Sequence, residues 1–327
     1  MALIGSYGYN YVDVVVSCIF YVFIAVMAIF GNALVTGSFI RHRRLRTFTN
    51  YFVVSLSVAD MLVGLISVPM WMLNLLYSVG DQVFQNIFRS MDIFAGVASI
   101  LHLMVISLER YYAVAFPVRH RNTNANTYII LLVLVWVVPA LVAATTKYSI
   151  ENLGKKENIL FLFVVFFMFP LLLILFTYAG IWVAARKRIQ PMLTSRSKKS
   201  DMRIAVTIAL VVGFFIIAWL PFFVVQLVVV YCGPRSCPQA FDPRLLLFLK
   251  FMHYSNSAVN PVIYAVKIPE FRRAFRQLVA ICLCCLKKLQ AREELELFSA
   301  TDMRGSVEKS PAVSPKPNTK LSVNEKS

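Results

Sequence analysis

Long apolar stretches alternate with short polar segments along most of the chain. Seven stretches approach or exceed the length of about 20 residues that an α-helix needs to cross a bilayer. Neither a Gly/Ser-rich linker nor an internal repeat divides them, so the pattern predicts an all-α membrane protein with seven transmembrane helices in one domain. The predicted spans are Val12–Ile40, Tyr51–Tyr77, Ile87–Val114, Tyr128–Thr146, Ile159–Ala185, Ile204–Tyr231 and Leu245–Val266.

A second apolar pattern follows the last span. Its positions recur at helical spacing, at Phe271, Phe275, Leu278 and Cys282. Arginines lie between them, so we expect an amphipathic surface helix at about 268–286. The predicted organisation is a short N-terminus (1–11), a seven-helix domain that includes the surface helix (12–286), and a polar tail (287–327) expected to be disordered.

The composition excludes an ordinary cytosolic enzyme. Hydrophobic residues make up 59% of the chain, charged residues 15%, and the mean hydropathy is +0.69. Soluble domains have about 45–50% apolar and about 25% charged residues. One soluble core would leave the excess apolar residues in water. No nucleophile–base set or metal-ligand cluster is evident in the sequence either, so we do not expect an enzyme.

Basic residues are divided unevenly between the loops. The net charge is +17, and the loops after spans one, three and five contain fourteen Lys and Arg residues against six in the alternate loops. Because basic loops stay in the cytosol, the pattern predicts a multi-pass membrane protein with its N-terminus outside. The plasma membrane is the expected location. The positive charge then faces anionic membrane lipid and cytosolic partners, and nucleic acid is not an expected partner.

Three ionisable residues lie in spans where lipid penalises charge. Asp60 is in the middle of span two, Asp92 in the outer part of span three, and Arg110 at its cytosolic end. A central charge costs about 2.5–3.5 kcal/mol on insertion scales. Asp92 and Arg110 are 18 residues apart, which is five helical turns, so they share one face. That face should point into the bundle, to form a functional site or a structural polar pair.

Short motifs follow one another on the seven spans. They are Gly31-Asn32, Leu56 to Asp60, Glu109-Arg110-Tyr111, Trp136, Pro170 with Tyr178, Phe215 with Trp219-Leu220-Pro221, and Asn260-Pro261-Val262-Ile263-Tyr264. With them, the chain resembles the class A (rhodopsin-like) G-protein-coupled receptors over roughly residues 12–280. The resemblance implies an extracellular ligand and a heterotrimeric G protein as partners, with arrestin and a receptor kinase at the tail.

Within that family the chain is most similar to biogenic amine receptors, in which an Asp 18 residues before the Arg of span three binds the ligand ammonium. Asp92 holds that position. A buried carboxylate favours a cationic partner, and aromatic walls add cation–π attraction of about 0.5–2 kcal/mol, so the resemblance implies a protonated amine as ligand. The implied ligand-binding residues are Asp92, Ile93, Gly96, Phe166, Trp219, Phe222, Phe223, Gln226, Lys250 and Tyr254.

Other interpretations remain open. Asp92 either binds an amine or pairs internally with Tyr254 or Lys250. If the ligand is not an amine, we expect a peptide, a lipid or a nucleoside-like molecule. A transporter would show inverted repeats with broken spans, and none is evident in the sequence.

The resemblance also implies an ion site and an activation switch, and no other cofactor. Sodium, as an allosteric ion that favours the resting state, would bind at Asp60, Ser99, Asn256, Ser257 and Asn260. The switch residues would be Glu109, Arg110, Tyr178, Asp201, Phe215, Pro221 and Tyr264. Arg110 would be held at rest by Glu109 and Asp201, and span six would swing about the Pro221 kink on activation.

The cysteines depart from the family pattern. Gln85 replaces the Cys that the family has in span three, and Lys147–Asn158 contains no Cys, so we expect a looser entrance to the bundle. On the outer side, Cys232 and Cys237 either form a disulfide or remain free thiols. After the surface helix, Cys282, Cys284 and Cys285 are palmitoylation candidates or free thiols.

Two further departures concern the pocket. Span five has no hydroxyl from Leu162 to Phe167, which disfavours a catechol ligand, because burying an unpaired hydroxyl costs about 1–3 kcal/mol. Lys250 lies one turn outside Tyr254 and adds a cation that would pair with Asp92 or with an acidic ligand group. An opsin would need its retinal-binding Lys at the position of Tyr254, so an opsin is not expected.

Overall fold

The computed structural model describes residues 10–77, 81–187, 195–232, 236 and 242–284, without the side chains of 153, 185–187, 195–205 and 208. Within these ranges every regular element is a helix. The main helices are α1 (Tyr11–Arg41), α2 (Phe48–Tyr77), α3 (Gln82–Ala115), α4 (Ala125–Leu153), α5 (Lys155–Phe163, Val164–Met168 and Phe169–Lys187), α6 (Ser195–Tyr231), α7 (Pro243–Lys267) and α8 (269–284).

Polar caps fix where several helices begin. Thr47, Asp81 and Asp242 have extended backbone, and their side chains accept hydrogen bonds from backbone N–H groups in the first turns of α2, α3 and α7. Each cap satisfies a donor that the helix itself leaves unpaired. Between α4 and α5 there is only Gly154, with φ of 97°, which is a backbone conformation that suits glycine. The segment between predicted spans four and five, Lys147–Asn158, is therefore helical apart from this turn.

Six of the described helices are long and apolar enough to cross a membrane, and they correspond to α1–α6. Large apolar side chains on their outer faces are exposed, such as Phe23 at 63% and Phe176 at 68%, which suits contact with hydrocarbon. The seventh predicted span is α7, a 25-residue helix that contains several polar residues. These residues are buried in the bundle rather than turned to lipid: Lys250, His253, Asn256, Ser257 and Asn260.

Two membrane helices contain a π-helical turn, Val63–Ser67 in α2 and Val164–Met168 in α5. A proline follows each turn, Pro69 and Pro170, and proline cannot donate the backbone hydrogen bond that a regular helix requires. The extra residue in such a turn changes which side chains face the interior. In α5 the fully buried ring is that of Phe167.

The amphipathic helix predicted at about 268–286 is α8, and the residues beyond 284 lie outside the described part. Phe271, Ala274 and Phe275 are buried, whereas the arginines between them are exposed. The Arg272 guanidinium donates to the backbone oxygens of Ala265 and Val266 at 3.1 and 2.8 Å, and so caps the C-terminus of α7. The chain up to residue 278 forms one compact unit, and the predicted disordered tail lies outside the described residues.

Candidate functional site

The predicted ammonium-binding residue, Asp92, is already paired with a cation of the chain itself. Its Oδ2 lies 2.5 Å from Lys250 Nζ, and its Oδ1 accepts a hydrogen bond of 3.1 Å from the Tyr254 hydroxyl. The Asp92 side chain is 15% exposed and that of Lys250 is 7% exposed. Both internal partners left open by the sequence therefore contact Asp92, and the pocket centre is a nearly dry ion pair between α3 and α7.

Four aromatic rings surround the Lys250 ammonium, and we call them the aromatic cage. Their centroids lie 5.1–5.5 Å from Nζ, and they belong to Phe222, Tyr254, Trp71 and Phe88. These distances are within the range of cation–π attraction. Trp71 and Phe88 were missed by the sequence analysis. Phe88 lies one helical turn before Asp92 on the same face, which is the signal that indicates its place.

A stack of aromatic side chains lies in contact with this cage. Trp219 contacts His253, with ring centroids 4.0 Å apart, and also contacts Phe215, Phe222 and Phe223. A Cβ built on Gly96 would lie 2.3 Å from Trp219 Cη2, so this glycine makes room for the indole ring. His253, another residue that the sequence analysis did not place in the site, bridges the cage and Trp219 through its contacts with Phe222 and Tyr254.

The other predicted pocket residues differ in what their side chains contact. Ile93 and Gln226 are half-buried on α3 and α6. Phe166 is half-buried and its ring packs against Phe161, with centroids 5.7 Å apart. The next residue, Phe167, packs against Phe215 and Phe223 instead. The π-helical turn accounts for this shift, and a role for Phe166 in ligand binding stays a prediction.

The predicted ion site is a fully buried polar cluster. Asp60 is 0% exposed, and its Oδ2 accepts a hydrogen bond of 2.7 Å from Asn260. Among the described residues, Asp60 Oδ1 and the buried Asn256 Oδ1 have no hydrogen-bond partner. Ser99 and Ser257 are also buried. Buried acceptors without donors cost about 1–3 kcal/mol each, and a hard cation with oxygen ligands would satisfy them.

Near the C-terminal end of α3, Glu109 holds Arg110. The Arg110 Nε and Nη2 donate to the two Glu109 carboxylate oxygens, both at 2.6 Å. Thr49 and His120 also contact this carboxylate, at 2.8 and 2.9 Å. Glu109 is therefore bound from α2, α3 and the short helix Pro117–Arg121. The other predicted partner, Asp201, is on α6, but its side chain lies outside the described part.

The remaining switch residues line the interior. Phe215 is buried between Trp219 and Phe167, and Tyr264 is buried against Phe271. Pro221 lies inside α6. The Tyr178 hydroxyl is buried and finds no hydrogen-bond partner among the described residues.

A polar contact is present near the N-terminal end of α3, where Gln85 replaces the cysteine expected from the resemblance. Gln85 Nε2 donates to Asn74 Oδ1 at 2.6 Å and so joins α3 to α2. Of the two cysteines that follow α6, Cys232 is in a disulfide, whereas Cys237 lies outside the described residues. Cys282 and Cys284 are exposed free thiols, and Cys285 lies outside the described part as well.

Trp136 on α4 belongs to a partly buried polar chain across three helices. Its indole Nε1 donates to Ser55 Oγ at 2.8 Å, and Ser55 Oγ lies 2.8 Å from His102 Nε2. His102 Nδ1 is 2.7 Å from the backbone oxygen of Ala98. This chain fixes α2, α3 and α4 to one another. Within the described residues, no group of three or more His, Cys, Asp or Glu side chains is arranged to hold a metal ion.

These seven helices and their motifs match a known family. Residues 31–158 and 145–264 match the family described as "7 transmembrane receptor (rhodopsin family)". The chain belongs to the rhodopsin family of seven-transmembrane receptors. It is therefore a receptor of the G-protein-coupled class and not an enzyme.

Relatives of this rhodopsin-family receptor include receptors named for amines. The histamine H2 receptor of Canis lupus familiaris is 34% identical, over 77% of this chain and 76% of its own length. The octopamine receptor beta-2R of Chilo suppressalis is 28% identical, over 87% and 84%. The octopamine receptor beta-1R of Drosophila melanogaster is 32% identical, over 81% of this chain and 61% of its own length.

Proposed function

We propose that this receptor binds a small amine and transmits the signal to heterotrimeric G proteins, with Asp92 as the partner of the ligand ammonium. The observation that carries the proposal is the cation already bound to Asp92 inside the aromatic cage. A carboxylate and several ring faces are the chemistry that recognises an ammonium group. The similarity to receptors named for histamine and octopamine supports the same ligand class.

The test is the substitution Asp92→Asn, which keeps the shape of the side chain and removes its charge. Truncating one partner of a buried charge pair costs about 2–5 kcal/mol, so we expect amine potency to fall roughly 30-fold or more. The assay is a dose–response series with a panel of amines and G-protein dissociation reporters, at matched surface expression.

Asp13→Asn is the matched control, because Asp13 is also an outer carboxylate in a salt bridge, 2.8 Å from Arg244, but lies outside the aromatic cage. It should leave amine potency unchanged. An Asp92→Asn receptor with an unaltered response would remove the amine assignment and leave the signalling function in place.

The buried cluster at Asp60 is proposed as the sodium site. Asp60 Oδ1 and the Asn256 amide oxygen, which have no hydrogen-bond partner in the described part of the chain, support a cation that also uses the oxygens of Ser99 and Ser257. A sodium ion here would hold α2, α3 and α7 in the resting arrangement, because it binds that arrangement better than the activated one.

The switch is proposed to start at Trp219, which contacts the aromatic cage through Phe222 and His253. A ligand in the cage would displace the indole ring, and α6 would then swing about Pro221. At the cytosolic end Arg110 would leave Glu109, and Tyr178 and Tyr264 would turn inward, so that a G protein binds. The ligand shifts this equilibrium only by its different affinities for the two states.

Partners and placement complete the proposal. The N-terminus lies outside the cell and the basic loops face the cytosol at the plasma membrane. The polar tail is proposed to bind arrestin and a receptor kinase. Cys282, Cys284 and Cys285 are proposed palmitoylation sites, supported by the exposure of the two thiols that the structure describes.

A further inference from the structure

Lys250 occupies the place that an amine ligand needs. Its ammonium bonds Asp92 Oδ2, the Tyr254 hydroxyl engages the other carboxylate oxygen, and the aromatic cage surrounds Nζ. The ammonium site is therefore complete without a ligand. Any amine that reaches Asp92 must first displace a side chain of the receptor's own α7.

An amine that displaces Lys250 from Asp92 leaves the Lys250 ammonium without an anionic partner. The residue is 6% exposed, and Asp92 is the one acid that the described residues bring within salt-bridge distance of it. A simple monoamine would take the carboxylate and leave a second ammonium group buried without a partner, which is strongly unfavourable. A ligand with its own anionic group removes this penalty, because its ammonium pairs with Asp92 while its anionic group pairs with Lys250.

We propose that the preferred ligand is a zwitterion of the amino-acid type, whose ammonium binds Asp92 while its anionic group binds Lys250. This inference rests on the proposed amine site. Lys250 lies one helical turn outside Tyr254, about 6 Å along α7, so the anion points toward the cell exterior and the ammonium toward the bundle. We expect the rest of the ligand to be apolar or aromatic, because Phe222 of the cage contacts Phe223, which packs against Phe163 and Phe167.

The first experiment compares matched ligand pairs on cells that express the full receptor, in amino-acid-free buffer. Each monoamine is paired with the zwitterion of the same skeleton: phenethylamine with phenylalanine, tyramine with tyrosine, tryptamine with tryptophan, and histamine with histidine. G-protein dissociation reporters give the potencies. We expect at least one zwitterion to act at a concentration at least tenfold lower than its monoamine.

The decisive variant is Lys250→Met, which keeps an unbranched side chain one heavy atom shorter and removes its charge. The vacated carboxylate should now accept monoamines, with a gain in potency of at least tenfold, and the advantage of the zwitterion should disappear. Lys267→Met is the control, since Lys267 is an exposed lysine at the cytosolic end of the same helix. The inference is overturned if Lys250→Met leaves the selectivity unchanged in every ligand pair. It is also overturned if neither the unmodified nor the Lys250→Met receptor responds to any of the compounds.

A binding measurement on purified receptor does not depend on signalling. In Lys250→Ala the missing part of the side chain should be replaced by n-propylammonium at millimolar concentration, which raises the Tm by about 2 °C or more. The unmodified receptor should show no such rise, and neither should Lys250→Ala combined with Asp92→Asn. Equal shifts in all three proteins would contradict an ammonium site filled by Lys250.

The two proposals fail in different ways. If Asp92→Asn abolishes the amine response but Lys250→Met does not change selectivity, the amine site stands and the zwitterion is wrong. If Asp92→Asn leaves the response intact in both the unmodified and the Lys250→Met receptors, the amine site itself is wrong.

Discussion

Gly96 on α3 offers a direct test of how α6 is held at rest. In the substitution Gly96→Ala, the new Cβ lies 2.3 Å from Trp219 Cη2 and 3.0 Å from Cζ3, whereas ordinary contacts begin at 3.4 Å. The indole ring must therefore move by about 1 Å. Overpacking of this kind costs about 1–3 kcal/mol, and the cost falls on the arrangement in which Trp219 packs against Gly96.

If activation moves Trp219 away from α3, this cost lowers the stability of the resting state alone. A difference of 1–3 kcal/mol corresponds to a shift of roughly 5- to 150-fold in the equilibrium between the two states. We therefore expect ligand-independent G-protein signalling to rise at least fivefold. The assay is a G-protein dissociation reporter without ligand, normalised to receptor at the cell surface.

Gly213→Ala on α6 is the matched control, because a Cβ there meets nothing within 4 Å. Both substitutions replace a glycine by alanine inside a membrane helix, so the gain in helix propensity is the same. Equal basal signalling of the two variants would refute the idea that the close approach of Gly96 and Trp219 holds the resting state.

Three further predictions concern other contacts. Asp60→Asn should abolish the effect of sodium on agonist affinity, measured in sodium and in N-methylglucamine buffers; an unmodified receptor that is insensitive to sodium would contradict the ion site. His120→Ala removes one of the contacts to Glu109 and should raise basal signalling a few-fold, so an unchanged basal level would show that this contact does not restrain Arg110. Gln85→Ala should lower the free energy of unfolding of the purified receptor by about 0.5–1.5 kcal/mol, and Asn74→Ala should add little in that background, whereas additive losses would show that the two amides act independently.

The sequence predicted the number and order of the spans, because lipid imposes a length and an apolar composition on each crossing. The residues at which the helices begin and end were harder to predict. The prediction for span three began at Ile87, but α3 begins at Gln82, since the helix extends before the apolar stretch as far as its cap at Asp81. Hydropathy reports the part of a helix that lies in lipid, and a cap reports where the helix itself begins.

The centre of the site followed from periodicity and resemblance, and its periphery did not. Lys250 and Tyr254 were predicted from the sequence as the two candidate internal partners of Asp92, and the structure shows both in contact with it. Trp71 lies on a different helix, and nothing local in the sequence shows that it contacts the same ammonium. The orientation of α5 depends on a π-helical turn, which a regular period of 3.6 residues does not anticipate.

The bond between Lys250 and Asp92 has a consequence for the ligand concentration that the receptor detects. Lys250 is part of the chain, so its effective concentration at the carboxylate is fixed by its tether and does not fall on dilution. A diffusing amine meets this competitor in every receptor molecule, and its apparent Kd is its intrinsic Kd divided by the fraction of receptors in which the lysine has swung aside. Changes in the packing that make Lys250 swing aside more or less often would therefore set the response threshold of the receptor.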